Sequence, residues 1–247
     1  MPLLSYLLHL GDDALILGHR NSEWCGHGPV LEQDIALTNI ALDLIGQARL
    51  FYQYAAEVKG DGATEDSLAY LRDVYDFRNC LLVEQPNGDW AHTILRQFLF
   101  SAYQYELYKA LRESRDAQVS AIAVKSLKEV TYHLRWSGEW VVRLGDGTSE
   151  SRRRMARALE DLWMFTGELF RPAPFEEVLA LGAGVTVEAL EEPWKAHIRR
   201  VFDEAGLDMP QTPAFQAGGK TGAHSEYLGH ILADLQFMQR AYPGCNW

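Results

Sequence analysis

The sequence predicts an all-α protein, and three observations carry that prediction. Apolar residues recur every three or four positions through long segments, no segment keeps the period-two alternation of strands, and clusters of glycine, proline and asparagine separate the segments. The 247 residues contain 47% hydrophobic and 23% charged side chains, which is the composition of an ordinary globular protein. We therefore expect a single helical domain over residues 1–247.

Each of the first five predicted helices is bounded by residues that break or cap helices. Gly26, Gly28 and Pro29 interrupt the chain after the first helix, and Thr64 and Asp89 are suitable N-caps for the third and fourth. The first five predicted helices span about 3–20, 31–58, 65–83, 89–113 and 116–144.

The second half of the chain is less regular. Ser149 opens a sixth helix, and a final helix spans about 224–242. Between them, residues 171–207 give shorter, interrupted helices, and the glycine- and proline-rich residues 208–222 give a loop. We predict a four-helix core within 31–144, with peripheral helices in 1–20 and 149–247.

Charge and cysteine content exclude several classes of partner. The net charge of −11 argues against nucleic acid and against an anionic membrane surface, because both require a basic face. No apolar run reaches the roughly 18–20 residues of a membrane span. The three cysteines are odd in number and far apart, which fits free thiols in a reducing cytoplasm.

Four acidic residues lie where a carboxylate-bridged di-metal site would place its ligands. Asp43, Asp76, Glu106 and Glu129 fall one on each of the predicted helices two to five. In ferritin-like di-iron bundles, two helices give one carboxylate each and two give a Glu-x-x-His pair. The spacing therefore predicts a ferritin-like four-helix bundle core with additional N- and C-terminal helices.

The two histidines of such a site are missing. The corresponding pairs are Asp76 with Asn79 and Glu129 with Tyr132. Imidazole nitrogens complete the coordination of each metal ion, and an amide or a phenol replaces them poorly. We predict a degenerate site with no metal, no other cofactor and no catalytic residue in this chain.

Acids that face a core need a compensating charge or a proton. Lys125 lies one helical turn before Glu129, and Arg72 lies one turn before Asp76, so each would neutralise its acid. His133 lies four residues after Glu129, on the same face of the predicted helix, and is a third candidate for compensating these acids. We therefore expect protein cations to stand where a catalytic bundle holds iron.

Motifs along nearly the whole chain carry a family resemblance. They are LGDDAL at 10–15, SEWCGH at 22–27, NIALD at 39–43, GQAR at 46–49, NGD at 87–89, KEVxYH at 128–133, EWxxRLGDGT at 139–148 and GxHSExLG at 222–229. In these motifs the chain resembles the PaaC-type subunit of the bacterial phenylacetyl-CoA epoxidase.

This resemblance implies a role and a set of partners. It implies a structural subunit that pairs with a PaaA-type catalytic homologue, in which the di-iron centre lies. It also implies a further small subunit, and a reductase that carries FAD and an iron–sulfur cluster and uses NADPH. The complex would convert phenylacetyl-CoA and O₂ to a ring epoxide in aerobic phenylacetate catabolism.

Two other interpretations stay open. The first is an active carboxylate di-metal oxidase that uses the four acids, with His133 as a shifted nitrogen ligand. The second is a free-standing helical adaptor unrelated to oxygenation. The sequence does not locate the surface that would meet a partner.

Overall fold

The computed structural model describes residues 1–245, apart from the side chains of Glu176 and Ala180. All secondary structure in the described residues is α-helix or 3-10 helix, which confirms the all-α prediction. The chain forms two compact units. The first unit consists of Met1–Pro86, Ala173–Val178 and the chain from Gly218 onward, and the second of Asn87–Pro172 and Leu179–Ala217. The single domain over 1–247 stays a prediction.

The α-helices are numbered here in chain order. They are α1 (Pro2–Ser22), α2 (Leu31–Lys59), α3 (Glu65–Tyr70), α4 (Leu81–Glu84), α5 (Trp90–Leu111), α6 (Ala117–Gly145), α7 (Ser149–Leu162), α8 (Glu191–Ala205) and α9 (Glu226–Ala241). The 3-10 helices are Val74–Asp76, Trp163–Phe170, Pro174–Leu181, Val187–Leu190 and Gly219–Thr221.

The first unit is built on the packing of α1 against α2. Leu7, Ile16 and Leu17 of α1 are fully buried, so the assignment of this helix to the periphery needs correction. The two helices lie close together at Gly11, where a Cβ atom would lie only 2.6 Å from the ring of Tyr52. Glycine therefore lets the Tyr52 ring lie directly against the backbone of α1.

The predicted third helix over 65–83 is wrong in its extent. A capping box between Thr64 and Ser67 starts α3 as expected, but α3 ends at Tyr70. Beyond it the backbone N–H groups of Arg78 and Cys80 donate to the carboxylates of α1, each over 2.7 Å. These tertiary hydrogen bonds replace the helical ones, so the segment becomes α3, the 3-10 helix Val74–Asp76 and the start of α4, joined by non-helical residues.

The second unit is built on the packing of α5 against α6. Asp116 caps α6 by accepting from the N–H groups of Gln118 and Val119. The buried indole of Trp194 on α8 donates to the carbonyl oxygen of Leu99 on α5 over 2.9 Å. The sequence predicted the ends of α5 and α6 and the start of α7 to within about two residues, because capping and breaking residues mark these boundaries.

None of the helices in residues 1–245 combines the length and the apolar character that crossing a membrane requires.

Candidate functional site

The predicted acids of the first unit do not resemble a pair of metal ligands. Asp43 is half-buried on α2. Asp76 is exposed, and it ends the 3-10 helix Val74–Asp76 rather than facing a core. Its carboxylate accepts a hydrogen bond from the N–H of Asp73 over 3.2 Å. Asn79, the predicted replacement for a histidine, is buried and donates to Glu84 over 2.9 Å.

In the second unit, Glu106 is the predicted acid that does face a core. It is buried on α5, and its two oxygens contact two different side chains. Oε1 lies 2.9 Å from Nε2 of His197, and Oε2 accepts from Lys109 over 3.2 Å. Glu129 is half-buried on α6, and Tyr132 is exposed there. Protein groups therefore already contact both oxygens through which Glu106 would bind a metal.

These residues do not fit a carboxylate-bridged di-metal centre. No group of three or more His, Cys, Asp and Glu side chains in the described part of the chain has an arrangement that would hold a metal ion. Asp76 lies in solvent, and Glu106 contacts His197 and Lys109 instead of presenting open lone pairs. The absence of metal from the protein in solution stays a prediction, which metal analysis tests.

The residues predicted to neutralise these acids also lie elsewhere than expected. Arg72 contacts Asp76 through that residue's carbonyl oxygen, over 3.2 Å, and places its charge against Asp12 instead. The prediction for Arg72 is wrong because Asp76 is exposed and needs no buried cation. Lys125 is exposed on α6, and His133 is buried on the same helix.

We expect Lys125→Met to change the free energy of unfolding by less than about 1 kcal/mol, the range for an exposed charge. The reason is that Lys125 lies in solvent and Glu129 is only half-buried. Urea denaturation of the variant and the wild type measures the difference. A loss of about 3–5 kcal/mol would contradict this placement and would indicate a buried Lys125–Glu129 pair.

A different set of acids lies deep in the first unit, and we call Asp12, Asp13 and Glu84 the buried acid cluster. All three are buried, with Asp12 and Asp13 on α1 and Glu84 at the end of α4. Each accepts hydrogen bonds from segments far away in the chain.

Asp12 binds a cation, a phenol and a backbone amide. Arg72 donates to both of its oxygens, with the Nη1–Oδ2 distance at 3.0 Å, and Tyr52 donates to Oδ1 over 2.6 Å. Burial, followed by the charge of Asp12, raises the pKa of the Tyr52 phenol, which therefore keeps its proton and donates. The guanidinium of Arg72 also lies over the ring of Phe77, 4.2 Å from its centre. Asp12 thus fixes the position of the chain after α3.

Glu84 forms a buried ion pair with His224. Nδ1 of His224 lies 2.9 Å from Glu84, and Nε2 lies 3.0 Å from the carbonyl oxygen of Phe77. Both partners are acceptors, so both ring nitrogens donate and the imidazole is protonated. Burial lowers the pKa of His224, but the hydrogen bond and charge of Glu84 outweigh burial and raise it above 6.5.

His9 is the neutral histidine of the same region. Its Nδ1 lies 2.8 Å from the carbonyl oxygen of Arg78, so this nitrogen donates. Burial, with a smaller effect of Lys220, lowers the pKa of His9 from 6.5 to about 3. His9 therefore orients the loop as an uncharged donor, whereas His224 neutralises a carboxylate.

The buried acid cluster ties three distant segments together. Asp12 and Asp13 hold residues 72–80, and Glu84 holds His224 together with the N–H of Ser225. Its oxygens are directed at arginine, histidine and backbone donors, so the cluster organises the fold and does not present an open coordination site. The helical spacing that identified the four candidate ligands did not identify these three acids. Two adjacent acids within the otherwise apolar LGDDAL segment are nevertheless a signal in the sequence that Asp12 and Asp13 are buried.

Fold and site together define an all-α protein whose buried carboxylates are held by its own cations and amides. Comparison with known proteins identifies its family. Residues 1–247 match the family model described as phenylacetic acid catabolic protein. The chain is also 48% identical over 246 residues to a protein of Escherichia coli (strain K12) that is named as a subunit of 1,2-phenylacetyl-CoA epoxidase, with 99% of each chain covered.

The chain therefore belongs to the phenylacetic acid catabolic protein family. This confirms the resemblance carried by the motifs from LGDDAL to GxHSExLG. A ferritin-like helical bundle is consistent with this family and with the all-α structure.

Proposed function

We propose that the chain is a non-catalytic structural subunit of a phenylacetyl-CoA epoxidase complex in the cytoplasm. In this role it pairs with a di-iron catalytic homologue and stabilises it. The observation that carries the proposal is the likeness, over 99% of both chains, to a protein named as one subunit of that epoxidase. A protein named as one subunit works within a complex of several chains. Because the similarity covers 99% of both chains, it supports the same kind of complex for this protein.

The chemistry of the acids supports a structural role. A catalytic metal site keeps an open position for substrate or water beside its protein ligands. Here Glu106 contacts His197 and Lys109, and Asp12 contacts Arg72 and Tyr52. Removing such a carboxylate from its partners would leave buried charge uncompensated, so these acids are suited to holding the fold.

The remaining parts of the proposal concern partners. The di-iron centre would reside in the PaaA-type homologue, and electrons from NADPH would pass through a reductase that holds FAD and an iron–sulfur cluster. A further small subunit would complete the complex. Phenylacetyl-CoA would be the substrate of the assembly, and no reaction step is assigned to a residue of this chain.

Metal analysis of the purified chain and of its complex with the catalytic homologue tests the proposal. After incubation with ferrous iron and gel filtration, we expect substoichiometric iron in the chain alone and about two irons per catalytic subunit in the complex. Retention of about two irons by this chain alone, lost in Glu106→Ala, would instead support an active di-metal oxidase. Failure of the two chains to co-purify would support the free-standing adaptor.

A further inference from the structure

Helix α2 carries a second apolar face that the protein leaves uncovered. We call Leu31, Ile35, Thr38, Leu42 and Ile45 the α2 stripe. Its four aliphatic side chains are exposed, at fractions between 39% and 71%, and Thr38 is half-buried. Single exposed aliphatic residues are common on protein surfaces, whereas four of them along one side of a helix form a shared apolar patch, which favours an interaction site.

The α2 stripe is centred on a different side of the helix from the face that α2 packs into the core. Ile45, at its end, also lies 3.2 Å from the position of a Cβ atom at Gly18 of α1. Leu37, Ile40 and Leu44 are fully buried and form that core face. At 100° per residue, the centre of the stripe lies about 145° around the helix from the centre of the core face. Helix α2 is therefore apolar on two faces, whereas a helix with a single interface needs only one.

The spacing of the stripe indicates what would cover it. Its residues follow one another at intervals of four, three, four and three, which is the repeat of a helix that packs side by side with another helix. On the flank, Asn39 is uncharged and Gly46 has open space around it, so a neighbouring backbone can approach closely. The geometry favours a long helix as the occupant over an extended strand or a flat surface.

The area of the stripe favours a folded partner over an isolated peptide. Residues 31–45 span about 21 Å, and a helix about 10 Å wide gives roughly 200 Å² of surface. One side of a stable protein interface buries about 800 Å². The stripe therefore supplies about a quarter of the required area, so its partner must also contact neighbouring surface.

Charge favours a different chain over a second copy of this one. Each copy carries a net charge of −11, so two copies repel each other as they approach. Glu32, which is exposed beside the first residue of the stripe, adds a negative charge at its edge. A partner with a basic side chain opposite Glu32 would be electrostatically complementary.

We propose that the α2 stripe is the surface on which this subunit docks a long amphipathic helix of another helical subunit. The partner helix has an aliphatic seam and a basic residue that faces Glu32. The inference rests on the proposed function, because the other helical subunit is the catalytic homologue of the complex. It adds the location of the interface, which neither the motifs nor the family resemblance provides.

Two matched variants test the location. Leu42 in the stripe and Leu71 after α3 are both leucines on the first unit, exposed at 60% and 59%. We expect Leu42→Glu to weaken binding of the co-expressed catalytic homologue by about tenfold or more, because it buries a charge in an apolar seam. Leu71→Glu should bind as the wild type does. Titration calorimetry gives the affinities, and thermal melts of the variants alone should match.

The outcomes distinguish a failure of the proposed interface from a failure of the proposed function. If the wild type binds the homologue and Leu42→Glu binds equally well, the stripe is not the interface and the proposed function stands. If the wild type does not bind the homologue, both proposals fail. A homodimer of the wild type by light scattering, abolished by Leu42→Glu, would assign the stripe to a second copy and overturn the inference.

Discussion

Asp12→Ala is expected to lower the free energy of unfolding by about 3–5 kcal/mol, the cost of breaking a buried ion pair. Asp12 is fully buried and accepts from Arg72, from Tyr52 and from the N–H of Arg78. Its removal leaves the guanidinium of Arg72, itself only 11% exposed, without its carboxylate. Chemical denaturation at neutral pH measures the loss.

Asp76→Ala is the control for this variant. Asp76 is an acid of the same chemical type in the same unit, but it is exposed and bonds only locally to the N–H of Asp73. We expect a loss of about 1 kcal/mol or less, the value of a capping interaction. If Asp76→Ala cost as much as Asp12→Ala, the carboxylate of Asp76 would have a buried role that its exposure contradicts.

Glu84→Ala is expected to have an effect of similar size, about 3–5 kcal/mol, for the same physical reason. Glu84 is fully buried and accepts from His224, Asn79 and the N–H of Ser225. Without it, His224 loses its counter-ion, and Asn79 and the N–H of Ser225 lose their buried acceptor. Glu57→Ala, a change at an exposed position of α2, is the control and should alter the free energy of unfolding by less than about 0.5 kcal/mol.

The pH dependence of stability distinguishes this ion pair from a neutral hydrogen bond. Because Glu84 raises the pKa of His224 above 6.5, the folded state holds this proton more tightly than the unfolded chain does. The stabilisation is therefore fully present below pH 6.5 and is lost as pH rises through the raised pKa. In Glu84→Ala burial dominates, so this loss above pH 6.5 should disappear.

His9 and His19 do not obscure that measurement. The pKa values of His9 and His19 are lowered by burial, and that of His9 falls to about 3. Their effect on stability therefore lies below pH 6.5, where the unfolded chain takes up protons that the folded protein does not. The difference between the wild type and Glu84→Ala in denaturation curves at several values above pH 6.5 reports the contribution of the Glu84–His224 pair. Equal slopes in the wild type and Glu84→Ala would contradict a charged His224.

The long helices could be predicted from the sequence because the signals for them are local. Period, caps and breakers placed the ends of α2, α5 and α6 within about two residues. The motifs also gave the family, which the near-full-length match confirms. Glu106 faces a core, as the apolar residues Leu99, Ala102 and Tyr103 at helical spacing before it indicate.

The burial and the contacts of the other acids could not be predicted from local signals. Helical spacing indicates which face a residue shares, but it does not identify the distant segment that covers that face. Asp12 meets Arg72 across 60 positions, and Glu84 meets His224 across 140. Those contacts ended the predicted third helix early and left Asp76 in solvent.

The sequence by itself determined an all-α protein, its long helices and its family. Only the tertiary structure decided which carboxylates are buried and what neutralises them. The physical reason is that helix formation depends on neighbours within about four residues, whereas the cost of burying a charge is offset by a partner that can lie anywhere in the chain. The acids that tie distant segments of the first unit together are therefore Asp12, Asp13 and Glu84, none of which is among the four acids that helical spacing identified.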